Sequence, residues 1–149
     1  MIEIVRTALD DADFLELVAL LDDELRQRDG EDHYFFAQFN TLAGILGVVV
    51  AYRNDIAVGC GAFKEYSPDV AEIKRMFVLP EQRGKRIAAR LLAELEAWAA
   101  ELNYTECILE TGFKQPEAIA LYQREGYTVI PNYGQYADVA NSICMKKSL

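Results

Sequence analysis

The residues of this chain best suited to act together lie in one short stretch. Arg83, Lys85, Arg86 and Arg90 crowd the start of a segment in which Ile87, Leu91, Leu92, Leu95, Trp98, Ala99 and Leu102 recur at helical spacing. An apolar, strand-like run ending at Pro80 leads into that basic loop, and Gly84 lies within it. A loop feeding a helix start offers free backbone N–H groups and the positive end of the helix dipole, which together bind anions. The order of charges strengthens this reading. The dipole favours acidic residues first and basic residues last, by about 0.3–1 kcal/mol per exposed charge. Here the basic residues come first, and Glu94, Glu96 and Glu101 follow. A local preference broken this consistently suggests a phosphate site, the plain alternative being a solvated basic helix end with no ligand.

The composition restricts the partners. With 149 residues the chain is long enough for a sizeable core and reads as one domain over 1–149. Its formal net charge of −9 argues against holding nucleic acid through the overall field, so the basic cluster stands out against an acidic background. Cys60, Cys107 and Cys144 show no framework spacing and sit in apolar, strand-like contexts, which favours reduced, buried thiols and a cytoplasmic protein. One histidine and scattered cysteines offer too few ligands for zinc, so no metal is expected. The start of the chain lacks the basic and apolar regions of a signal peptide. The apolar run 41–51 is too short to span a bilayer, so no membrane partner is expected.

The elements that must position the loop follow from periodicity. Residues 1–7 alternate as a strand, and Asp10 or Asp11 can cap a helix running to about 27 that buries Phe14, Leu17, Val18, Leu21 and Leu25. Residues 28–34, including His33, read as a polar loop, and 34–46 suit either a short helix or an ordered loop. Strands over 47–52, 56–65 and 70–79 form a meander, with turns at Arg53-Asn54-Asp55 and Ser67-Pro68-Asp69. The basic loop and its helix follow, to about Leu102, with Asn103 as C-cap. Residues 105–111 form a strand, 115–125 a helix opened by Pro116 and stopped by Gly126, 127–130 a strand, 131–136 an aromatic loop and 142–147 a last strand. Antiparallel strands followed by a βαβ unit make this a mixed α/β domain.

Two motifs in this order resemble the GNAT superfamily of acyl-CoA-dependent N-acetyltransferases. The resemblance covers nearly the whole chain and is most specific over 72–127. The family's Q/R-x-x-G-x-G/A loop stands here as Arg83-Gly84-Lys85-Arg86-Ile87-Ala88, with Arg86 where the central glycine is usual. Gln115-Pro116-Glu117-Ala118-Ile119-Ala120-Leu121-Tyr122, followed by Gly126-Tyr127, resembles the second signature, with Gln115 in place of asparagine. The resemblance implies a central, mostly antiparallel sheet with helices on both faces and a βαβ unit carrying the cofactor loop. It implies acetyl-CoA as donor cosubstrate and a small-molecule or peptide amine as acceptor. The pantetheine arm would lie along Met76, Phe77 and Val78, and the pyrophosphate on Arg83, Gly84, Lys85, Arg86, Ile87, Ala88 and Ala89, with Gln115 nearby. Arg86 would either obstruct that loop or add a charge-assisted contact to the phosphates. Family members often form homodimers, although nothing in the sequence marks an interface.

Acetyl transfer needs an amine without its extra proton, a thioester carbonyl held close to it, and a proton for the departing thiolate. By resemblance Tyr122 is the acid near the sulfur; on its own it would read as a core tyrosine. Glu72, on the strand leading to Met76, is the leading base candidate, with Glu110 at the end of the next strand as an alternative and an ordinary solvent-facing residue as the other reading. A backbone N–H near Phe77 would polarise the carbonyl. His33, Tyr133 and Tyr136 are candidate acceptor contacts, against an incidental loop histidine and an ordinary packed loop. Lys74 and Arg75 would either meet an acidic substrate or stand exposed on their strand. Two rival classes are a non-catalytic acyl-CoA-binding module and a nucleotide-binding protein, although neither GxGxxG nor GxxxxGK[ST] occurs.

Overall fold

The computed structural model describes residues 1–29, 42–113 and 115–149. Seven strands form one sheet: β1 (Ile2–Thr7), β2 (Ile45–Arg53), β3 (Ile56–Ser67), β4 (Val70–Val78), β5 (Glu106–Gly112), β6 (Thr128–Ile130) and β7 (Ser142–Ser148). Among the described residues three helices accompany them: α1 (Ala12–Asp29), α2 (Ile87–Glu101) and α3 (Pro116–Arg124). The strand order is β1-β2-β3-β4-β5-β7-β6, and every neighbouring pair is antiparallel except β4 and β5. The mixed α/β architecture expected from the sequence is therefore present. No helix among the described residues is long and apolar enough to cross a membrane.

Local chemistry accounts for the elements. Asp11 accepts the Phe14 N–H at 3.0 Å and opens α1. Asn54 and Asp55 both take positive φ, 51° and 66°, between the paired residues Arg53 and Ile56, which is the two-residue hairpin turn that matches strand twist. Asn103, at φ 73°, follows the C-cap residue Leu102 of α2 in the left-handed conformation that ends helices. The strand-to-helix connection contains one element the sequence reading did not anticipate, a 3-10 turn at Pro80–Gln82.

Helices cover both faces of the sheet. On one face Phe14, Leu17, Val18 and Leu21 of α1 pack on Val48, Val50, Cys60, Ala62 and Phe77. On the other, Ile87, Leu91, Leu92, Leu95 and Ala99 of α2, with Tyr122 of α3, pack on Val49, Ala51, Val58, Ile73, Leu109 and Met145. Burial at roughly 25 cal/mol per Å² of apolar surface makes these two layers the main source of stability. All three cysteines are free and buried, as their apolar contexts predicted, and burial pushes the thiols of Cys60 and Cys107 up to about 12.

The reversed charge order of α2 has a tertiary explanation at its acidic end. Glu94 and Glu101 both pair with Arg6 of β1, at 2.7 and 2.6 Å. Glu96 takes Lys147 of β7 at 2.9 Å and the Tyr127 hydroxyl at 2.9 Å. These acidic residues serve the strands beneath the helix rather than the helix dipole.

Candidate active site

Two irregularities in β4 create the site. Beside β5, the parallel register holds only for Val70↔Glu106, Ala71↔Cys107 and Glu72↔Ile108. Beyond Glu72 the strands splay, so Lys74, Arg75 and Met76 face Glu110, Thr111 and Gly112 across a gap. Beside β3, Cys60 pairs with Phe77 but Ala62 pairs with Lys74, which leaves Gly61 opposite both Arg75 and Met76. This is a β-bulge, and Arg75 accommodates it with φ 59°. Gly61 leaves room there: a Cβ would lie 2.6 Å from Met76 Sδ and 2.8 Å from Leu95 Cδ1, so those side-chain ends would have to shift. Around the bulge the consecutive residues Ile73, Lys74, Arg75 and Met76 all line the gap.

The larger of two cavities, about 550 Å³, runs from the splay toward the basic loop. Met76, Phe77, Val78, Arg83, Gly84, Arg86, Ile87, Ala88, Ala89 and Gln115 all line it, which gathers the expected cofactor residues except Lys85. Lys85 instead reaches Gln82 at 3.4 Å and lies outside the wall. Among the described residues no side chain caps the start of α2, so its first N–H groups remain available to an anion. Arg83 is already engaged. Its Nε donates to the Val78 carbonyl at 2.9 Å, its Nη2 meets Glu24 of α1 at 2.8 Å, and its guanidinium lies 5.7 Å from the centre of the Phe77 ring. Its backbone N–H donates to Pro80 O at 3.3 Å, so the Arg83 amide belongs to the 3-10 turn rather than to a phosphate cradle. Arg86 resolves the departure from the family loop. It occupies the glycine-like conformation itself, at φ 64° and ψ 19°, immediately before α2. The backbone path survives, at the cost of about 1–2 kcal/mol of left-handed strain. Glu24 and Leu21 of α1 and Arg124 of α3 also line this cavity; no motif in the sequence singled them out.

The smaller cavity, about 120 Å³, fills the splay itself. It shares Leu21, Met76, Gln115, Ala118 and Tyr122 with the larger one, so the two spaces meet at Met76 and Tyr122. Tyr122 is buried and packs edge-on against Tyr127 at 5.8 Å. Burial, and then the nearby Glu110, raise its hydroxyl above the ordinary tyrosine range, so it holds its proton at neutral pH. Glu110 stands on the opposite wall and accepts from Ser142 Oγ at 2.7 Å. Lys74 and Arg75, which the sequence also allowed as exposed strand residues, are buried: their side chains are 8% and 2% exposed. Burial lowers the affinity of Lys74 for its proton, with the Glu72 charge acting against that.

The remaining candidates separate. Glu72 is buried but lines neither cavity; its carboxylate accepts from Tyr133 Oη at 2.7 Å and lies 3.9 Å from Lys74 Nζ. It lies on β4, where its partner across the last paired position of β5 is Ile108. Tyr136 lines the smaller cavity and its hydroxyl lies 3.5 Å from Lys74 Nζ. Tyr133 packs edge-on between Tyr66 and Tyr136, at 5.1 and 5.7 Å, and lines neither cavity. His33 lies outside the described residues. Among the described residues, no group of three or more histidine, cysteine or acidic side chains is arranged to hold a metal ion.

A split parallel pair, a bulged β4 and an uncapped helix start beside a two-part cavity together define an acyltransferase site. The chain belongs to the acetyltransferase (GNAT) family, whose profile matches residues 10–127. It is 38% identical over 102 residues to the IAA acetyltransferase of Azospirillum brasilense, an alignment covering 68% of this chain and 67% of that protein. Among solved structures, a Klebsiella pneumoniae protein described as an acyl-CoA N-acyltransferase superposes with a TM-score of 0.84 and 32% identity, over 100% of this chain and 98% of that one. The PaiA N-acetyltransferase of Thermoplasma acidophilum, solved in complex with coenzyme A, shares the fold with a TM-score of 0.74 at 19% identity, over 100% and 99% of the two chains.

Proposed function

We propose that this chain, acting as one cytoplasmic domain, transfers an acetyl group from acetyl-CoA to a primary amine by direct attack. The observation that carries the proposal is the meeting of the two cavities at Met76 and Tyr122. A donor lying along β4 with its phosphates at the start of α2 would present its thioester at that junction. An acceptor in the smaller cavity would approach from the other side.

In this reading the neutral amine attacks the thioester carbonyl carbon, a C–N bond forms, and the C–S bond breaks. Tyr122 gives its proton to the leaving thiolate; its buried hydroxyl, protonated at neutral pH, suits that role. Glu110 takes the proton the amine loses, directly or through water, because it lines the smaller cavity together with Tyr122. Glu72, on β4 and outside both cavities, orients Tyr133 and Lys74. The β4 edge freed by the splay and the bulge supplies backbone N–H groups near Phe77 for the developing oxyanion.

The test is release of coenzyme A thiol from acetyl-CoA over a panel of amines. Turnover on at least one amine supports transfer. Tight acetyl-CoA binding with no turnover on any amine would instead identify a non-catalytic acyl-CoA-binding module.

A further inference from the structure

One charge in the larger cavity runs against the ligand expected there. Arg83, Arg86 and Arg124 line this space, and so do two carboxylates, Glu24 and Glu117. A donor carries its negative charge on phosphates, so each carboxylate in the wall opposes it. The two carboxylates are balanced differently. Glu117, in the first turn of α3, is paired with Arg28 of α1, which does not line the cavity. Among the described residues, Glu24 is paired instead with Arg83, a cation of the same wall, with Oε1 2.8 Å from Nη2.

The position of Glu24 follows from α1. Leu21 is buried on the sheet and lines both cavities. Residues three apart are neighbours on a helix surface, so Glu24 follows on the same side one turn later. Both partners are partly covered, Glu24 with 25% and Arg83 with 33% of its side chain exposed, so water and salt screen the pair only in part. The planar fork of Arg83 would match a phosphate. Its Nε is taken by the Val78 carbonyl at 2.9 Å, and its Nη2 by Glu24. The Val78 carbonyl, and the Phe77 ring 5.7 Å away, already fix the guanidinium without a countercharge. The Glu24 carboxylate therefore adds more than an anchor: it holds, as an anion, an arginine suited to a phosphate.

We propose that Glu24 sets the affinity of the donor cavity, lowering it for coenzyme A and its acyl forms by holding the Arg83 guanidinium and opposing the phosphates. This rests on the acetyl-transfer reading above, which puts those phosphates at the start of α2. Acetyl-CoA and the coenzyme A product carry the same phosphates, so the carboxylate acts on both alike. An interaction shared in this way changes KM without accelerating the chemical step. Weakening it speeds the departure of product, a step that limits turnover in many enzymes. Glu24 thus acts through Arg83 and through charge, from a helix that lies outside the donor-loop motif.

The experiment is calorimetric titration of coenzyme A into the unaltered chain, Glu24→Gln and Asp23→Asn. Glu24→Gln keeps the size and an oxygen acceptor for Arg83 but removes the charge. Asp23→Asn makes the same charge change one residue away, at a side chain that is 62% exposed, pairs with Arg26 and does not line the cavity. At low salt Glu24→Gln should bind coenzyme A about two- to five-fold more tightly, the scale of one partly exposed charge interaction. Asp23→Asn should stay close to the unaltered chain. Near 1 M salt, where the screening length falls to about 3 Å, the gain of Glu24→Gln should largely vanish. In thiol-release assays its KM for acetyl-CoA should fall by the same factor, inhibition by coenzyme A should strengthen with it, and kcat should not rise. Unchanged or weaker binding by Glu24→Gln overturns the proposal and makes Glu24 an anchor for Arg83. Equal tightening by Asp23→Asn overturns it as well, because the overall field is then the cause. Failure of the unaltered chain to bind coenzyme A removes the acetyl-transfer reading, and the proposal with it.

Discussion

The two cavities that meet at Tyr122 are built on different principles. The larger one is walled mostly by backbone and small or apolar side chains: Gly84, Ala88, Ala89, Val78 and the uncapped start of α2. Its charged neighbour Arg83 is committed to fixing the loop against Val78 O and Glu24. The smaller one is walled by buried charged and polar side chains, Lys74, Arg75, Glu110, Tyr122 and Tyr136, held in place by contacts from α1, β7 and the segment before it. A ligand bound through backbone N–H groups is recognised whatever the side chains are, provided the path is right. A ligand bound through buried side chains is recognised only by this chain's own choice of them. That difference explains how one fold can keep a common donor while acceptors vary.

The comparison can be broken most sharply at the junction. Tyr122→Phe should lower turnover by about 10²-fold or more while leaving acetyl-CoA affinity nearly unchanged, since it removes a proton donor and little surface. Unchanged turnover would take Tyr122 out of the mechanism and leave it as a core residue against Tyr127. Next in size is Glu110→Gln, expected to reduce kcat by about ten-fold or more with acetyl-CoA affinity preserved. Glu72→Gln, outside both cavities, should cost less in kcat and should instead loosen Tyr133. If Glu72→Gln proves the more damaging in kcat, Glu72 is the base and Glu110 the positioning residue.

Smaller effects are expected on the donor side. Arg83→Ala removes two hydrogen bonds and a ring contact from a partly exposed side chain, and should destabilise the fold by about 1 kcal/mol while weakening acetyl-CoA binding several-fold. Denaturant unfolding and calorimetric titration separate the two. The smallest effect concerns the residue that departs from the family pattern. Arg86→Gly relieves a left-handed side-chain residue and should raise Tm by roughly 2 °C, corresponding to about 0.5 kcal/mol. It also removes a charge from the cavity rim, so acetyl-CoA affinity should fall a few-fold. Tighter binding in the glycine variant would show that the Arg86 side chain obstructs the loop.

Much of the donor side was legible in the sequence. The basic, glycine-containing loop between an apolar strand and a periodic helix announced an anion site, and nine of the ten residues assigned to the loop and its preceding strand line the larger cavity. The one that does not, Lys85, differs only in where a long, exposed side chain turns. The smaller cavity was much less legible. Lys74 and Arg75 could have been exposed strand residues, because alternation along a strand puts neighbours on opposite faces. A one-residue bulge opposite Gly61 interrupts that alternation; Gly59 and Gly61 mark this strand in the sequence as able to take a bulge or a close backbone approach, and the register shows that β4 carries the extra residue. Of two carboxylates on adjacent strands, Glu72 led as the base candidate by resemblance, with Glu110 as the alternative. The register of β4 with β5, and the point at which it ends, separates their environments.

By itself the sequence determined the order of elements, the two-sided core and the path of the cofactor loop. Each of these is set by short-range periodicity, turn chemistry and the orphaned N–H groups of a helix start, all readable within a dozen residues. It even determined the anomaly at Arg86, although only the backbone angles showed that the arginine adopts the conformation of the glycine it replaces. What the tertiary structure alone decided was the set of charged residues around the smaller cavity. That depends on where two parallel strands part, on the bulge in β4, and on contacts between residues far apart in the chain, such as Asp22 with Arg75 and Glu72 with Tyr133. Those are long-range contacts, and no local pattern encodes them.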